Sequence, residues 1–200
     1  MPTALHETAA IWMRSEFVLW ACYGLLTPAT ATAIKDGLIT HDHFVGTFSG
    51  SSKTPDLAYS PCINGTRRAF PTVVLESGWT ESQAQSLRDL ELWQQGTAGA
   101  VKIVILFKLA RSRVHNRLKA TLSVSQYVAG GAPVMSVYPI FPSPSEPHPD
   151  PWITVDELFG GMVPGGLNPG TRLPLSLERL RVRVEAEMRQ QGFVPAVTSN

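Results

Sequence analysis

The sequence has few cysteines and no segment suited to a membrane. Its two cysteines, Cys22 and Cys62, lie outside any Cys/His ligand spacing, so neither a zinc site nor a disulfide framework is indicated. This cysteine usage favours a reducing intracellular location, cytoplasmic or nuclear. The apolar run at 17–26 is shorter than the roughly 20 residues that span a bilayer. The first residues show no charged segment followed by an apolar core, so we expect no secretory signal and no membrane partner.

Charge is also scarce. Charged residues make up 16% of the 200 residues and the net charge is +1, so the molecule has no overall field that attracts nucleic acid. Any site for a polyanion must therefore be a local patch. Hydrophobic residues reach 44%, which argues against global disorder. We expect one domain over residues 1–200, since a chain of this length buries a substantial core.

Apolar residues spaced three and four apart predict three amphipathic helices. In the first, Glu7, Arg14 and Glu16 are expected to face solvent. The third carries Arg and Glu residues in i,i+4 pairs, which indicates a solvated face rather than a polyanion site. The predicted helices cover residues 4–24, 80–93 and 175–191.

Alternating and β-branched segments predict strands between these helices. The clearest is 72–76, a near-continuous apolar run that is typical of a sheet covered on both faces. With the helix at 80–93 and a strand at 101–107 it forms a βαβ unit, so the two strands should be parallel. The proline-rich segment 142–151 is expected to be an exposed loop. Further strands or hairpins are expected at 37–48, 53–59, 114–128 and 133–140, with loops at 60–68 and 160–170 and a frayed C-terminus. The fold class is a single α/β or α+β domain with a mixed sheet.

Two acidic residues border these strands. Asp56 follows a proline at the start of one strand, and Glu76 ends the most buried strand. Carboxylates at one edge of a sheet form a hard oxygen site suited to Mg²⁺ or Mn²⁺. Such a cation activates water and neutralises charge at a phosphate. Lys102 opens the next strand and is expected to approach the same edge.

Each of these residues also has a structural interpretation. Asp56 suits a turn or cap. Glu76 could form an ion pair with one of three arginines, since an unpaired buried carboxylate is costly. Lys102 could extend from a strand end into solvent. The three arginines are Arg67, Arg68 and Arg88.

Two other groups of residues are candidates for a metal site and a phosphate-binding site. His41 and His43 form an HxH pair, but no third ligand lies nearby in the sequence, so a solvated loop is favoured. Arg113, Arg117 and Lys119 form a local basic group. If this group lies near the carboxylates, it could contact the phosphates of a nucleic acid.

Three short motifs together resemble those of a known superfamily. They are KTPD at 53–56, PTVVLESG at 71–78 and TES at 80–82. This layout resembles the PD-(D/E)XK nuclease-like superfamily, in particular its restriction-endonuclease-like branch and that branch's uncharacterised fungal relatives. There a KxPD strand precedes a PTVVxExxxSES strand and an amphipathic helix that contains an Asp and a Trp. The resemblance covers roughly residues 46–110, about a third of the chain.

The resemblance implies a mixed sheet of restriction-endonuclease type, flanked by helices, and Mg²⁺-dependent phosphodiester hydrolysis. It implies that Asp56 and Glu76 bind the metal. In the superfamily a lysine two residues after the Glu orients or activates the attacking water, but this chain has Gly78 there. Lys102 is the first candidate to replace it, Lys53 the second and Lys108 the third.

A non-catalytic alternative is an interaction or scaffold domain that retains the nuclease fold. It would use the loop at 142–151 and the N-terminal helix as partner surfaces. A homodimer through Trp12 and Trp20 is compatible with either function. An enzyme requires an open groove at the edge that carries Asp56 and Glu76, whereas a scaffold predicts that this edge is filled by apolar side chains or arginine salt bridges.

Overall fold

A mixed β-sheet with helices on both faces gives the chain an α+β fold. The computed structural model describes residues 4–63, 65–79, 83–112 and 116–197, the side chains of residues 83 and 84 excepted. The helices in these ranges are α1 (Ala4–Cys22), α2 (Pro28–Thr32), α3 (Gln83–Gln94), α4 (Val155–Phe159) and α5 (Leu177–Gln190). The strands of the main sheet are β1 (Ile34–Gly37), β2 (Leu57–Ile63), β3 (Thr66–Arg67), β4 (Val73–Trp79), β5 (Ile103–Arg111), β6 (Arg117–Gln126), β7 (Val134–Phe141) and β10 (Val194–Pro195). Strands β8 (Trp152–Thr154) and β9 (Arg172–Pro174) form a separate antiparallel pair.

The strand order of the main sheet is β1-β2-β4-β5-β6-β10, with β3 beside β2 and β7 beside β6. Strands β4 and β5 are parallel and are connected through α3, which confirms the predicted βαβ unit. The antiparallel pairing of β6 with β7 confirms the predicted partner of the segment 133–140. Strands β6 and β10 are also parallel, and the other described pairs are antiparallel.

Side-chain alternation along the strands divides the core into two layers. In β5, Ile105 and Phe107 pack with α1 and α5 in the larger layer, while Val104 and Leu106 pack with α3 in the smaller one. We call the two sides of the sheet the α1/α5 face and the α3 face. Because both faces of β4 and β5 are covered, these strands consist largely of β-branched and other apolar residues.

The segments around β2 differ from the prediction. The strand or hairpin expected at 37–48 was wrong, because pairing stops at Gly37 and a one-turn 3₁₀ helix covers Gly46–Phe48. Strand β2 begins at Leu57, after Pro55, which has no N–H to donate to a ladder. The loop expected at 60–68 was also wrong, since β2 continues to Ile63 and pairs with β3.

Two predictions were wrong, one about the exposure of Glu16 and one about pairing near the C-terminus. Glu16 on α1 is buried, and its carboxylate accepts two hydrogen bonds from the Arg179 guanidinium of α5, at 2.6 and 2.7 Å. The C-terminal segment does not fray at Val194, because β10 pairs with the start of β6. Both contacts join residues far apart in sequence, which local patterning does not reveal.

The N-terminal helix belongs to the core. Trp12 and Trp20 are both buried, and their indole N–H groups donate to the carbonyls of Ser176 and Pro174. The burial of both rings therefore gives no support to a homodimer through the N-terminal helix with these two tryptophans in the interface. Among the described helices, none is both long and apolar enough to cross a membrane.

Candidate active site

The candidate site lies on the α3 face, towards the C-terminal end of β4. Glu76 follows Val74 on this face, where Val74 and Trp93 belong to the smaller core layer. The indole Nε1–H of Trp93 donates a hydrogen bond of 2.6 Å to Glu76 Oε1. The Glu76 side chain is 12% exposed. A largely desolvated carboxylate thus stands at the border between core and surface.

Lys53 bridges two carboxylates at this position. Its Nζ lies 2.9 Å from Asp89 Oδ2 and 3.8 Å from Glu76 Oε1. The residue precedes β2 and is held by a pair of backbone hydrogen bonds with His41. The charged partner of Glu76 is therefore this lysine, and none of the three arginines considered from the sequence forms an ion pair with it.

Burial dominates the electrostatics of Glu76. The pKa of Glu76 is raised to about 8, chiefly by desolvation and to a smaller extent by the neighbouring carboxylates Asp56 and Asp89. Lys53 and the Trp93 hydrogen bond act in the opposite direction. At neutral pH the carboxyl group therefore retains its proton in a large fraction of molecules. Additional positive charge at this position would release that proton.

Asp56 lies beside this group, in front of β2. Its Oδ2 accepts a hydrogen bond of 2.6 Å from the backbone N–H of Ser77 and lies 3.6 Å from Nε2 of His6 on α1. The side chain is 27% exposed. Asp56 is near enough to affect the pKa of Glu76. The structure thus brings the two predicted metal ligands together at one end of β2 and β4.

A small pocket of about 40 Å³ opens next to Glu76. A water molecule requires roughly 10–15 Å³ on this measure, so the pocket accommodates about three. Asp56 is not part of the pocket wall. The wall is formed by Lys53, Glu76, Ser77, Gly78, Ser86, Asp89, Leu106, Phe107 and Lys108.

Lys108 lies directly across from Gly78. The parallel register pairs Glu76 with Leu106 and Gly78 with Lys108. Because side chains alternate along a strand, Lys108 shares the α3 face with Leu106. Its position on the neighbouring strand therefore corresponds to that of a side chain at residue 78. Lys108, the third candidate from the sequence, is thus the lysine that faces Gly78 across the strand pair, and it lines the pocket.

Lys102, the first candidate from the sequence, lies elsewhere. It immediately precedes β5, whose first residue pairs with Val73 at the opposite end of β4. Four residues of strand separate it from Leu106, about 13 Å at 3.3 Å per residue. Its Nζ donates to the Gly99 carbonyl at 2.7 Å and lies over the ring of Tyr127. The expectation that Lys102 approaches Glu76 was wrong. Strands β4 and β5 are parallel, so Lys102 lies beside the N-terminal end of β4, whereas Glu76 lies towards its C-terminal end.

Two members of the predicted basic group lie on the same face as Glu76. Along β6, Leu118 and Ala120 enter the larger core layer, so Arg117 and Lys119 alternate onto the α3 face. Lys119 pairs with Ala110, two residues after Lys108. We call Lys108, Arg117 and Lys119 the basic strip. Arg113 lies outside the described residues.

His41 and His43 do not form a metal centre. The His41 ring stacks on Phe70 and shares a hydrogen bond with the Ala69 carbonyl, and burial lowers its pKa. The side chain of His43 is 86% exposed. In the described part of the chain, no three His, Cys, Asp or Glu side chains are grouped to hold a metal ion.

Asp89 and Trp93 were not selected as site residues from the sequence. Both lie on α3, and they contact the two polar groups of the site, Lys53 and Glu76. The signal was present, because the related pattern includes an Asp and a Trp on the helix after the Glu strand. Helical periodicity placed either Trp93 or Leu92 on the apolar face; both are buried, but periodicity did not indicate that the Trp93 ring also donates to Glu76.

Comparisons with known proteins do not assign the chain. No family model matches it, and neither the curated proteins nor the solved structures give a significant match. The resemblance to the nuclease-like superfamily thus depends on the sequence motifs, whereas the arrangement of Glu76, Lys53 and Lys108 is a property of the fold.

Proposed function

We propose that the chain is a Mg²⁺- or Mn²⁺-dependent phosphodiesterase that acts on nucleic acid. The observation that carries this proposal is the convergence of Glu76, Lys53 and Lys108 on one pocket, while Asp56 accepts a hydrogen bond from the next residue of the same strand, Ser77. A divalent cation held by carboxylates can activate water to attack a phosphate ester, and an adjacent ammonium group can stabilise the negative charge that develops. Lys53 and Asp56 lie in the first of the nuclease-like motifs and Glu76 in the second, whereas Lys108 lies outside them, on β5.

The donor chemistry fits a hard divalent cation. Mg²⁺ is commonly held by one or two carboxylates, with water and substrate phosphate as its remaining ligands. Asp56 and Glu76 would supply these carboxylates. The raised pKa of Glu76 fits the same role, because this group lacks sufficient positive charge around it. When bound, the cation would polarise a water molecule and neutralise phosphate charge.

Hydrolysis places specific demands on the protein. The water oxygen forms a new bond to phosphorus, the bond to one ester oxygen breaks, and that oxygen takes up a proton. Lys108 would stabilise the negative charge that develops on the phosphate oxygens. Lys53 would hold Glu76 and Asp89 in position, since its Nζ lies within 4 Å of both carboxylates.

The basic strip supports nucleic acid as the substrate. Lys119 is exposed, Arg117 and Lys108 are half-buried, and all three occupy one face near the end of the sheet that carries the pocket. Such residues contact the phosphate backbone irrespective of base sequence. Arg113 belongs to the same proposed group by its sequence position.

One observation favours a second function, an interaction domain without catalysis. Lys53 already forms a salt bridge with Asp89 and lies 3.8 Å from Glu76. The volume of the pocket is only about 40 Å³. An edge closed by a salt bridge is the arrangement expected of a scaffold. In that case Lys53 is a structural residue, and the carboxylates do not bind metal.

Calorimetric titration with Mg²⁺ and Mn²⁺, combined with plasmid nicking, distinguishes the two functions. The variant Asp56→Asn/Glu76→Gln retains the side-chain shapes and removes both charges. The matched control Asp36→Asn/Glu178→Gln changes two exposed acids, whose side chains are 54% and 74% exposed. We expect binding and nicking in the wild type and the control, and neither in the site variant. A wild type that neither binds metal nor nicks DNA would overturn the proposal.

A further inference from the structure

We propose that strand β7 forms a homodimer by pairing with β7 of a second copy, antiparallel and centred on Ser136. The outer edge of β7 supports this interface. On its inner side β7 pairs with β6 over residues 134–141, and no other described strand pairs with it. Val134, Met135 and Val137 are 54%, 43% and 54% exposed. An exposed apolar edge of this kind is a template for another strand.

Only the first part of the β7 edge, residues 134–138, lacks the usual protection against pairing; further along, Pro139 interrupts the edge and its carbonyl accepts from the Arg181 guanidinium. Natural edge strands are commonly blocked by charged side chains or proline. Between Lys119 and Glu146 the sequence contains no charged residue. Pro133 and Pro139 flank the strand segment 134–138. Since this segment pairs with β6 on one side, alternate backbone N–H and C=O groups of these five residues point to the outer edge. The segment available for pairing is therefore short and defined at both ends.

A second copy is the occupant that this edge fits. Antiparallel pairing about Ser136 places Val134 opposite Tyr138 and Met135 opposite Val137 of the other copy, and Ser136 opposite its equivalent. Aromatic and β-branched residues form favourable cross-strand pairs, and two serines can share a hydrogen bond. A two-fold axis normally brings like charges together, but an uncharged strand avoids this repulsion.

The symmetry also orients the two α3 faces. An antiparallel pair at the edge of two sheets has its two-fold axis normal to the sheet, so both basic strips would lie on one side of a continuous sheet. If the proposed function holds, two pockets would thus face one duplex. This consequence depends on the proposed function, whereas the dimer itself does not.

The size of the interface sets the concentration at which it forms. Five residues of strand extend about 17 Å, and interfaces of such limited area give weak complexes, with a Kd on the order of 10 to 100 µM. Sedimentation velocity from 5 to 500 µM, with CD as a check on the fold, therefore covers the expected transition from monomer to dimer. We expect the wild type to dimerise within this range.

Charge reversal at Ser136 tests the pairing and its register. Ser136→Lys and Ser136→Glu place like charges on the two-fold axis, so each variant alone should weaken the dimer at least tenfold. An equimolar mixture should form a heterodimer at least as stable as the wild type. Val182→Lys, at an α5 residue that is 61% exposed, is the matched control and should leave the dimer unchanged.

Each remaining outcome overturns the inference. A wild type that is monomeric up to 500 µM would contradict the dimer. Dimers that persist in both Ser136 variants, or that dissociate in Val182→Lys, would place the interface elsewhere. If both Ser136 variants are monomeric and remain so when mixed, the pairing centred on Ser136 is wrong. Nicking by the wild type is measured separately, so failure of the dimer and failure of the proposed nuclease are distinguishable.

Discussion

The indole of Trp93, which is fully buried, donates its N–H to Glu76 Oε1 at 2.6 Å. The orientation of the main acidic residue of the pocket is thereby fixed from within the core. Phe44 and His41 pack against the same ring at centroid distances of 5.5 and 5.8 Å. The position of the donor to Glu76 is therefore fixed by the aromatic neighbours of Trp93.

Replacement of Trp93 by Phe should be destabilising. The variant retains an aromatic ring but removes the donor to Glu76 and leaves a small cavity, so the free energy of unfolding should fall by about 2–4 kcal/mol. Urea unfolding measures this loss. Trp152→Phe is the control, because that half-buried ring stacks with Arg172 and its change should cost less than about 1 kcal/mol. Equal losses in the two variants would contradict the proposed role of the hydrogen bond.

The pKa of Glu76 gives stability a specific pH dependence. In the folded state the proton is retained up to a pH of about 8, whereas the unfolded chain releases it near 4.5. The folded state therefore binds more protons in this window, so the contribution of Glu76 falls as pH rises and is lost through pH 8. Glu76→Gln removes this titration and should be more stable than the wild type at pH 9 but not at pH 4.

The comparison between wild type and Glu76→Gln is necessary because His41 acts in the opposite direction. Burial lowers the pKa of His41, so its contribution to stability increases as pH rises through about 6.5. Urea unfolding at pH 4, 6, 7.5 and 9 gives the free energy of unfolding of both proteins. Because both contain His41, its contribution is absent from the difference between them. A difference between the two that does not vary with pH would contradict the raised pKa of Glu76.

The ion pair between Glu16 and Arg179 should contribute strongly to stability. Glu16 is fully buried, and both its carboxylate oxygens accept from the guanidinium. Arg179→Ala leaves a buried carboxylate without its charged partner, but the Arg179 side chain is 43% exposed and water can reach the vacated position. The loss should therefore be about 1–3 kcal/mol. The pair of Arg14 and Asp36 is the control, with both side chains about half exposed.

For this surface pair, Arg14→Ala should cost less than about 1 kcal/mol. Thermal unfolding of the two alanine variants at pH 7 gives the comparison directly. If Arg179→Ala unfolds at the same temperature as Arg14→Ala, the pair of Glu16 and Arg179 does not stabilise the packing of α1 against α5.

The basic strip predicts a salt-dependent affinity for DNA. Arg117→Gln/Lys119→Gln removes two phosphate contacts, so the slope of log K against log salt should fall by about 2 for a duplex. Fluorescence anisotropy with a labelled duplex, at five salt concentrations without metal, measures this slope. Lys35→Gln/Arg183→Gln is the control, since Lys35 on β1 and Arg183 on α5 lie away from the strip. An equal change of slope in both variants would indicate non-specific electrostatics.

The elements that local patterns define were predictable. Helices α1, α3 and α5 have apolar stripes, and the β-branched strand 72–76 with its crossover helix specified a parallel pair. The segment 37–48 has apolar residues as well, but Leu38 and Val45 are exposed. Periodicity reports the type of an element only where burial follows the apolar residues, and here it does not.

The site was less predictable because its geometry depends on register. The sequence placed Asp56 and Glu76 together, and the structure confirms that they are neighbours. It could not choose among the lysines, because that choice depends on which residue of β5 pairs with Gly78. Lys102 is nearer to Glu76 in sequence than Lys108, but it lies at the far end of the strand.

Plasmid nicking with lysine variants tests the central claim. This claim is that the Glu76 pocket is a phosphodiesterase site in which the Lys108 ammonium group stabilises the charge on the phosphate. Lys108→Ala should lose at least about 100-fold in rate, and Lys102→Ala should retain the wild-type rate. Gly78→Lys/Lys108→Ala transfers the ammonium group to the facing strand and should recover part of the lost activity. An inactive wild type would contradict a phosphodiesterase site at Glu76. So would loss of nicking in Lys102→Ala with nicking retained in Lys108→Ala.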